Sequence, residues 1–255
     1  MAGQLSTERF SNRVEDYVRY RPQYPVAVLD VLRDEAGWQP SWTIADIGAG
    51  TGISAEMFLK HGNEVIAVEP NEPMREAADR LLAGYPKFRS VAGTAEATTL
   101  ADGSVDAVTA AQAFHWFDPL NAGAECRRIL RPGGWGVLLW NTRRVDATPF
   151  AREYESLQNR FDMDPQRARH ERVDPVRLDQ FFGAGKWRKR AVDNEQRLTL
   201  AGLQGRAKSS SYLPADGDPA QPAMLAELET LFNQHQQGGV VVIEYDTEIY
   251  VGRMR

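Results

Sequence analysis

Between residues 42 and 143, short apolar runs of strand length alternate with amphipathic stretches of helical length. The apolar runs, in chain order, are SWTIADIG, NEVIAVEP, KFRSVAG, DAVTAAQAF and WGVLLWN. Helical patterns follow the first two runs, as ISAEMFLKHG and PMREAADRLLAG, and a third covers about residues 119 to 130, where the breaker RPGG stops it. This alternation predicts βαβ units built around a mainly parallel sheet.

The flanking segments follow a different pattern. A helix is predicted over PVAVLDVLRDEAG, before the first strand, while the polar residues 144–183 are predicted to be an insertion. KWRKRAVDNEQRLTL and GVVVIEYDTEIYVGRM both alternate in the manner of strands, and a helix is predicted between them over PAMLAELETLFNQHQ. We therefore predict a single domain over residues 1–255, with an N-terminal lid (1–24), a core (25–143), the insertion (144–183) and a C-terminal strand pair with an inserted lid and helix (184–255).

Composition narrows the function classes. The chain has 255 residues, of which 42% are hydrophobic, and this suffices for one sizeable core. Its net charge of −5 makes nucleic acid an unlikely partner. No membrane span or signal peptide is recognisable, so we expect a cytoplasmic protein with no membrane partner. The single cysteine, Cys126, allows no intrachain disulfide and no cysteine cluster, and no metal site is predicted.

The strand-to-helix loop at residues 46–52, DIGAGTG, carries three glycines at alternate positions. Glycines let a backbone turn tightly and approach a ligand where a Cβ would clash. A dinucleotide-binding fold also places glycines here, but in the spacing G-x-G-x-x-G, whereas this chain has G-x-G-x-G. The loop alone leaves two kinds of nucleotide cofactor open.

Two further elements extend the pattern. Glu69 ends the second strand, seventeen positions after Gly52, where a carboxylate can accept hydrogen bonds from both hydroxyls of a ribose. After the third strand comes GTAEA, a turn that contains an acid. Together with the acid before the glycine loop, these elements resemble class I methyltransferases over about residues 42 to 140.

The resemblance implies a doubly wound, Rossmann-like, seven-stranded sheet that is mostly parallel with its last strand antiparallel. It also implies S-adenosyl-L-methionine as cofactor, with Glu96 and Ala95 beside the adenine. The predicted cofactor contacts in the core are Asp46, Gly48, Ala49, Gly50, Gly52, Glu69, Pro70, Thr94, Ala95, Glu96 and Gln112. A nicotinamide-dependent oxidoreductase is the disfavoured rival.

The segment QAFHWFD follows the fourth strand, at the sheet edge where ligands of doubly wound folds bind. It lacks the Asn/Asp-Pro-Pro-aromatic pattern of enzymes that methylate nucleic acid bases. With residues 17–25, it resembles the small-molecule group that includes trans-aconitate methyltransferases. His115 is either a general base or a hydrogen-bonded wall residue. The favoured reaction is O-methylation of a small molecule, a carboxylate being one candidate acceptor; the alternatives are an RNA or protein methyltransferase and a cofactor-binding homologue without activity.

The outer segments supply further candidates. Tyr20 could shield the cofactor's positive charge, and Arg21 could pair with its methionine carboxylate, if the N-terminal lid closes over it. Cations after the fifth and sixth strands would suit an anionic acceptor. The predicted acceptor contacts are Tyr17, His115, Trp116, Arg143 and Tyr212. The oligomeric state stays open.

Overall fold

A computed structural model describes residues 20–164 and 173–255. The described chain divides into two compact units. The core unit contains residues 23–141, 173–192 and 247–255, and the outer unit contains residues 20–22, 142–164 and 193–246.

Seven strands form one sheet in the order β3-β2-β1-β4-β5-β7-β6. Its first five strands in chain order pair in parallel, and the last strand is antiparallel. This confirms the predicted doubly wound fold class. The strands are β1 (Thr43–Ile47), β2 (Glu64–Val68), β3 (Phe88–Val91), β4 (Val105–Ala111), β5 (Leu130–Arg143), β6 (Trp187–Leu198) and β7 (Val241–Arg253).

The helices begin and end at residues suited to those positions. The side chain of Asn71 accepts a hydrogen bond from the Met74 N–H at the start of α3, and Asp118 caps α4 in the same way. The helices are α1 (Ala27–Ala36), α2 (Ile53–His61), α3 (Glu72–Leu81), α4 (Pro119–Ile129), α5 (Pro149–Arg160), α6 (Pro175–Phe182), α7 (Leu200–Lys208) and α8 (Gln221–His235).

Both faces of β1 are buried, and this positions the loop that follows it. Ala45 and Ile47 belong to one apolar cluster of the core unit, while Ile44 belongs to a second cluster with Phe58. Burying a side chain such as Ile or Phe contributes about 1.5–3 kcal/mol. A strand covered on both faces reads as a continuous apolar run, which is why the sequence pattern located it.

The fifth strand begins earlier than predicted. Helix α4 ends at Ile129, and β5 starts at once with Leu130, so RPGG lies within the strand. The register against β4 shifts there, since Val105 pairs with Leu130 but Ala107 pairs with Trp135. Met254 and Arg255 donate hydrogen bonds to carbonyls of this segment. The Arg255 guanidinium donates to the Leu130 carbonyl (2.6 Å), and the Met254 N–H donates to the Gly134 carbonyl (3.0 Å).

Three further observations concern parts of the chain outside the site. Cys126 is buried within the core. In the basic run on edge strand β6, Arg188 and Arg190 pair with Glu35, so these cations belong to a solvated edge. No helix within the described residues combines the length and the apolar character needed to cross a membrane.

Candidate functional site

The loop between β1 and α2 depends on glycine at its two ends. Gly48 has φ +66° and Gly52 has φ +86°, both in the left-handed region. A Cβ on Gly48 would lie 2.8 Å from the Ala113 Cβ, and one on Gly52 would lie 2.6 Å from the Leu82 Cδ1. These two glycines therefore fix the loop against its own core.

Gly50, in the middle of the loop, also has a left-handed backbone, but it differs from Gly48 and Gly52 in its surroundings. Its φ is +56°, yet a Cβ added there would meet no atom within 4 Å. The space beside Gly50 is open, so a ligand can approach the backbone closely. Next to it, the buried hydroxyl of Thr51 has no hydrogen-bond partner within the described part of the chain.

Glu69, at the end of β2, joins the loop to the start of α3. Its Oε2 accepts from the Gly50 N–H and its Oε1 from the Asn71 N–H, both at 2.9 Å. The residue is only 8% exposed, and burial raises the pKa of its carboxyl above the ordinary value. Each oxygen keeps acceptor capacity for a ligand hydroxyl, since a carboxylate can accept about four hydrogen bonds.

Asp46, the acid that precedes the glycines, is fully buried. Its Oδ2 accepts from the Ser54 hydroxyl and its Oδ1 from the Thr109 hydroxyl, both at 2.6 Å. Burial raises the pKa of this carboxyl to about 6. Both oxygens face the chain itself, so Asp46 holds β1, α2 and β4 together beneath the loop.

The turn after β3 contains Ala95 and Glu96, which were predicted beside the adenine, and Thr94, a further predicted cofactor contact. The Thr94 N–H donates to the Ala97 carbonyl at 3.1 Å, which closes the turn, and Ala95 is buried within it. The Oε1 of Glu96 accepts from the Asp118 N–H at 2.9 Å. This hydrogen bond joins the turn to the segment after β4, while Pro70 lies exposed at the end of β2.

Gln112 and His115 lie at the end of β4. Gln112 has a left-handed backbone, with φ +53°, and its side-chain oxygen accepts from the Asn141 N–H at 2.7 Å. Such strain in a residue other than glycine is typical of functional sites. His115 is half-buried in a short 3₁₀ turn, its ring centroid 4.5 Å from that of Trp116 and 5.4 Å from that of Trp140.

Sequence reasoning missed Arg177, which holds this turn. From α6, its guanidinium donates to the Phe117 carbonyl at 2.7 Å and lies 5.4 Å from the ring centroid of Phe114. The sequence placed Arg177 in the polar insertion, where several arginines look alike. Its carbonyl partner is 60 residues away along the chain, so no local signal could identify it.

The remaining predicted residues do not belong to the core unit. Tyr20, Arg21, Arg143 and Tyr212 lie in the outer unit, and Tyr17 lies outside the described residues. There the Arg21 guanidinium donates to the Ser209 carbonyl at 2.7 Å. Their contacts with cofactor or acceptor stay predictions.

Comparison with known proteins shows that this chain is similar to methyltransferases. Residues 45–138 match the profile of a methyltransferase domain. An uncharacterized methyltransferase of Mycobacterium tuberculosis is 41% identical over 160 residues, which are 63% of this chain and 62% of that protein. The chain thus spans about three fifths of the length of the curated relatives it matches.

Two solved structures share the fold. A protein of Anaeromyxobacter dehalogenans, provisionally assigned as a type II methyltransferase, is 26% identical with a TM-score of 0.67, over 92% of this chain and 98% of its own. Geranyl diphosphate C-methyltransferase of Streptomyces coelicolor, solved with S-adenosyl-L-homocysteine, Mg²⁺ and its substrate, is 16% identical with a TM-score of 0.50. The alignment covers 90% of this chain and 80% of that protein, and this similarity shows the fold alone.

The matched region contains most of β1, the strands β2 to β4, the glycine loop, Glu69, the turn after β3 and His115. The predicted fold and the predicted S-adenosylmethionine cofactor therefore agree with both the geometry and the comparisons. Residues 45–138 are thus similar to a methyltransferase domain, and the chain shares the fold of class I methyltransferases.

Proposed function

We propose that the chain transfers a methyl group from S-adenosylmethionine to a small molecule. The observation that carries the proposal is the open space at Gly50 beside the Glu69 carboxylate, within the matched domain. A nucleoside suits this arrangement, because the ligand can approach the backbone closely and the buried Glu69 carboxylate can accept hydrogen bonds from its hydroxyls. The G-x-G-x-G spacing and the match favour this cofactor over a dinucleotide.

The residues of the core unit fit the cofactor's parts. Glu69 would accept hydrogen bonds from the ribose hydroxyls, and Gly50 would let the backbone lie against the ligand. The orphaned hydroxyl of Thr51 offers one further polar group. The turn at residues 94–96 would border the adenine. Bound S-adenosylmethionine supplies an electrophilic methyl group on a sulfonium, and all other tasks fall to the chain.

Alignment of the acceptor is the chain's main contribution to such a reaction. Holding two reactants in line can lower a barrier by about 7–11 kcal/mol. Trp116, which is 45% exposed, offers an apolar surface next to His115 for an acceptor. Arg177 fixes the backbone of the turn that carries both residues.

We assign acceptor deprotonation to His115 and favour an oxygen as the methylated atom. An imidazole nitrogen is a common general base and can take a proton from an acceptor hydroxyl. A carboxylate acceptor is ionised already and would need no base. His115 lies in the segment after β4, the sheet edge where ligands of this fold class bind.

Methyl-labelled cofactor incubated with the protein and cell extract tests the proposal. After separation, we expect label in the small-molecule fraction. Label in protein or RNA would contradict the small-molecule acceptor. Binding of S-adenosylhomocysteine without any transfer would indicate a cofactor-binding homologue without activity.

A further inference from the structure

The short segment after β4, residues 113–118, carries His115 and Trp116, and we refer to it as the acceptor turn. Its start lies against the glycine loop, since an added Cβ on Gly48 would come within 2.8 Å of the Ala113 Cβ. Both the loop and the acceptor turn belong to the core unit. The position of His115 therefore depends on how the proposed cofactor segments hold this turn.

The end of the acceptor turn is tied to the segment after β3. The Asp118 N–H donates to the Glu96 Oε1 at 2.9 Å, between residues 22 positions apart in the chain. Asp118 also caps α4, because its carboxylate accepts from the N–H groups of Leu120 and Asn121. The hydrogen bond to Glu96 thus joins the acceptor turn and the start of α4 to the turn that is proposed to border the adenine.

Glu125, on α4, makes a comparable contact with the same turn and has a structural task only. Its Oε1 accepts from the Thr98 N–H at 2.8 Å and from the Thr98 hydroxyl at 2.6 Å. The Arg128 guanidinium donates to both carboxylate oxygens, each at 2.7 Å. Because the Glu125 side chain is only 10% exposed, a ligand would have to displace these partners to reach it.

Glu96 differs from Glu125 in two respects that matter for a ligand. It is exposed, and its Oε2 accepts no hydrogen bond from the residues that the structure describes. A carboxylate can accept about four hydrogen bonds, so a ligand donor can bind Oε2 while Oε1 keeps the Asp118 N–H. The adenine ring has such a donor, its 6-amino group.

We propose that Glu96 couples adenine binding to the position of the acceptor turn, an inference that rests on the proposed function. Ordering an exposed glutamate side chain costs rotamer entropy. Because the two hydrogen bonds use the two oxygens of one carboxylate, the bond that forms first orders the side chain for the other, and the coupling is reciprocal. Glu96 is a positioning residue: through the Asp118 backbone it steadies His115 and Trp116 before the acceptor arrives.

Hydrogen exchange of single backbone amides, followed by NMR, measures this coupling without any acceptor. Saturating S-adenosylhomocysteine should slow exchange of the Asp118 N–H in the wild type by about tenfold, within the usual range for coupled sites. The Thr98 N–H, which donates to Glu125, is the matched control and should slow much less. Equal slowing of both amides would show general stabilisation by the ligand, and unchanged exchange at Asp118 would show no coupling; either result would overturn the proposal.

Two changes, one in the ligand and one in the protein, assign the coupling to Glu96. S-inosylhomocysteine carries a carbonyl oxygen where adenine has its amino group, so at saturation it should leave exchange of the Asp118 N–H in the wild type unchanged. Glu96→Ala should bind S-adenosylhomocysteine more weakly, and at saturation this ligand should no longer slow the Asp118 N–H. Slowing as large as that of the wild type with S-adenosylhomocysteine, in either experiment, would overturn the proposal.

Glu96→Gln separates positioning from a purely structural role. Its amide oxygen can still accept from the Asp118 N–H, while its amide nitrogen would face the adenine amino group as a second donor. We expect weaker binding of S-adenosylhomocysteine but a kcat close to that of the wild type at saturating cofactor, with the acceptor recovered from extract. Glu96→Ala should lower that kcat by about tenfold or more, since the acceptor turn loses its alignment. An equal kcat in the two variants would overturn the positioning role.

Calorimetric titration of the wild type with S-adenosylhomocysteine separates this inference from the function on which it rests. We expect binding, together with the slowed exchange of the Asp118 N–H. Wild-type protein that does not bind S-adenosylhomocysteine would refute the proposed function and the coupling with it. Binding without any change in the exchange of the Asp118 N–H would refute the coupling alone.

Discussion

The carboxylate of Glu69 accepts a hydrogen bond from the backbone N–H of Gly50, with the Oε2 and nitrogen 2.9 Å apart. This hydrogen bond joins the end of β2 to the glycine loop that follows β1. The strands β1 and β2 pair in parallel along their whole length. Because the same carboxylate also accepts from the Asn71 N–H, its orientation is fixed before any ligand arrives. The glycine loop and Glu69, the two sequence features that predicted a nucleoside, thus form one structure that exists before the ligand binds.

Glu69→Gln is expected to weaken binding of S-adenosylhomocysteine by about tenfold to a hundredfold. The amide nitrogen must face either the Gly50 N–H or the Asn71 N–H, so one buried donor loses its acceptor, and the ribose loses a charged one. Titration calorimetry measures the change.

Analogues of S-adenosylhomocysteine without the 2′- or 3′-hydroxyl test the ribose contact itself. They should bind the wild type more weakly than the parent compound does, while Glu69→Gln should discriminate little between them. An equal loss in both proteins would assign Glu69 to loop structure only.

His115→Asn is expected to lower kcat by about 10²- to 10⁴-fold with the acceptor recovered from extract, since it removes the proposed base. The matched control is His61→Asn, in the same unit, where the ring contacts Asn63 at the end of α2.

Unchanged turnover in His115→Asn would remove this residue from the chemistry. It would then favour an acceptor oxygen that is already ionised, such as a carboxylate. A fall of equal size in His61→Asn would point to a general loss of folded protein.

Asp46 makes a prediction about stability and pH. Burial raises its pKa from 3.8 to about 6, so between these values the folded protein binds more protons than the unfolded chain. On account of this group, the free energy of unfolding falls as the pH rises through that window, by roughly 2–3 kcal/mol. Asp46→Asn, which cannot titrate, should therefore gain stability relative to the wild type as the pH rises.

Urea unfolding of both proteins at several values from about pH 4 to pH 7 measures this difference. A difference that stays constant over the window would show that the Asp46 carboxyl titrates alike in the folded and unfolded states.

The sequence predicted the parts of the fold that short-range patterns specify. Apolar runs located β1 and β4, and the G-x-G-x-G spacing located the loop, because burial and backbone conformation leave local marks. Predictions failed or fell short where a distant partner decides the outcome. The sequence RPGG is typical of a helix breaker, yet it lies within β5. There Arg255 and Met254 donate hydrogen bonds to the Leu130 and Gly134 carbonyls.

The candidate site follows the same division. The sequence indicated Glu69 and His115 by their positions after strands. It gave no sign that Arg177 would hold the turn at Phe117, since that hydrogen bond joins segments far apart along the chain. It also singled out Asp46 as a cofactor contact, which stays a prediction; both carboxylate oxygens accept hydrogen bonds from the hydroxyls of Ser54 and Thr109.

The glycine loop offers a well matched test, because Gly103 has nearly the same φ as Gly50. Their φ values are +57° and +56°, and an added Cβ would meet no atom within 4 Å at either position. Replacement of either glycine by alanine should therefore cost a similar, small amount of stability, about 1 kcal/mol. Only Gly50 lies in the proposed cofactor loop.

Calorimetric titration of S-adenosylhomocysteine into the wild type, Gly50→Ala and Gly103→Ala tests the cofactor assignment most directly. We predict binding to the wild type, equal binding to Gly103→Ala, and a loss of at least about tenfold in Gly50→Ala, whose methyl group would occupy the open space beside the loop. No binding to the wild type, or equal binding to all three proteins, would contradict the account.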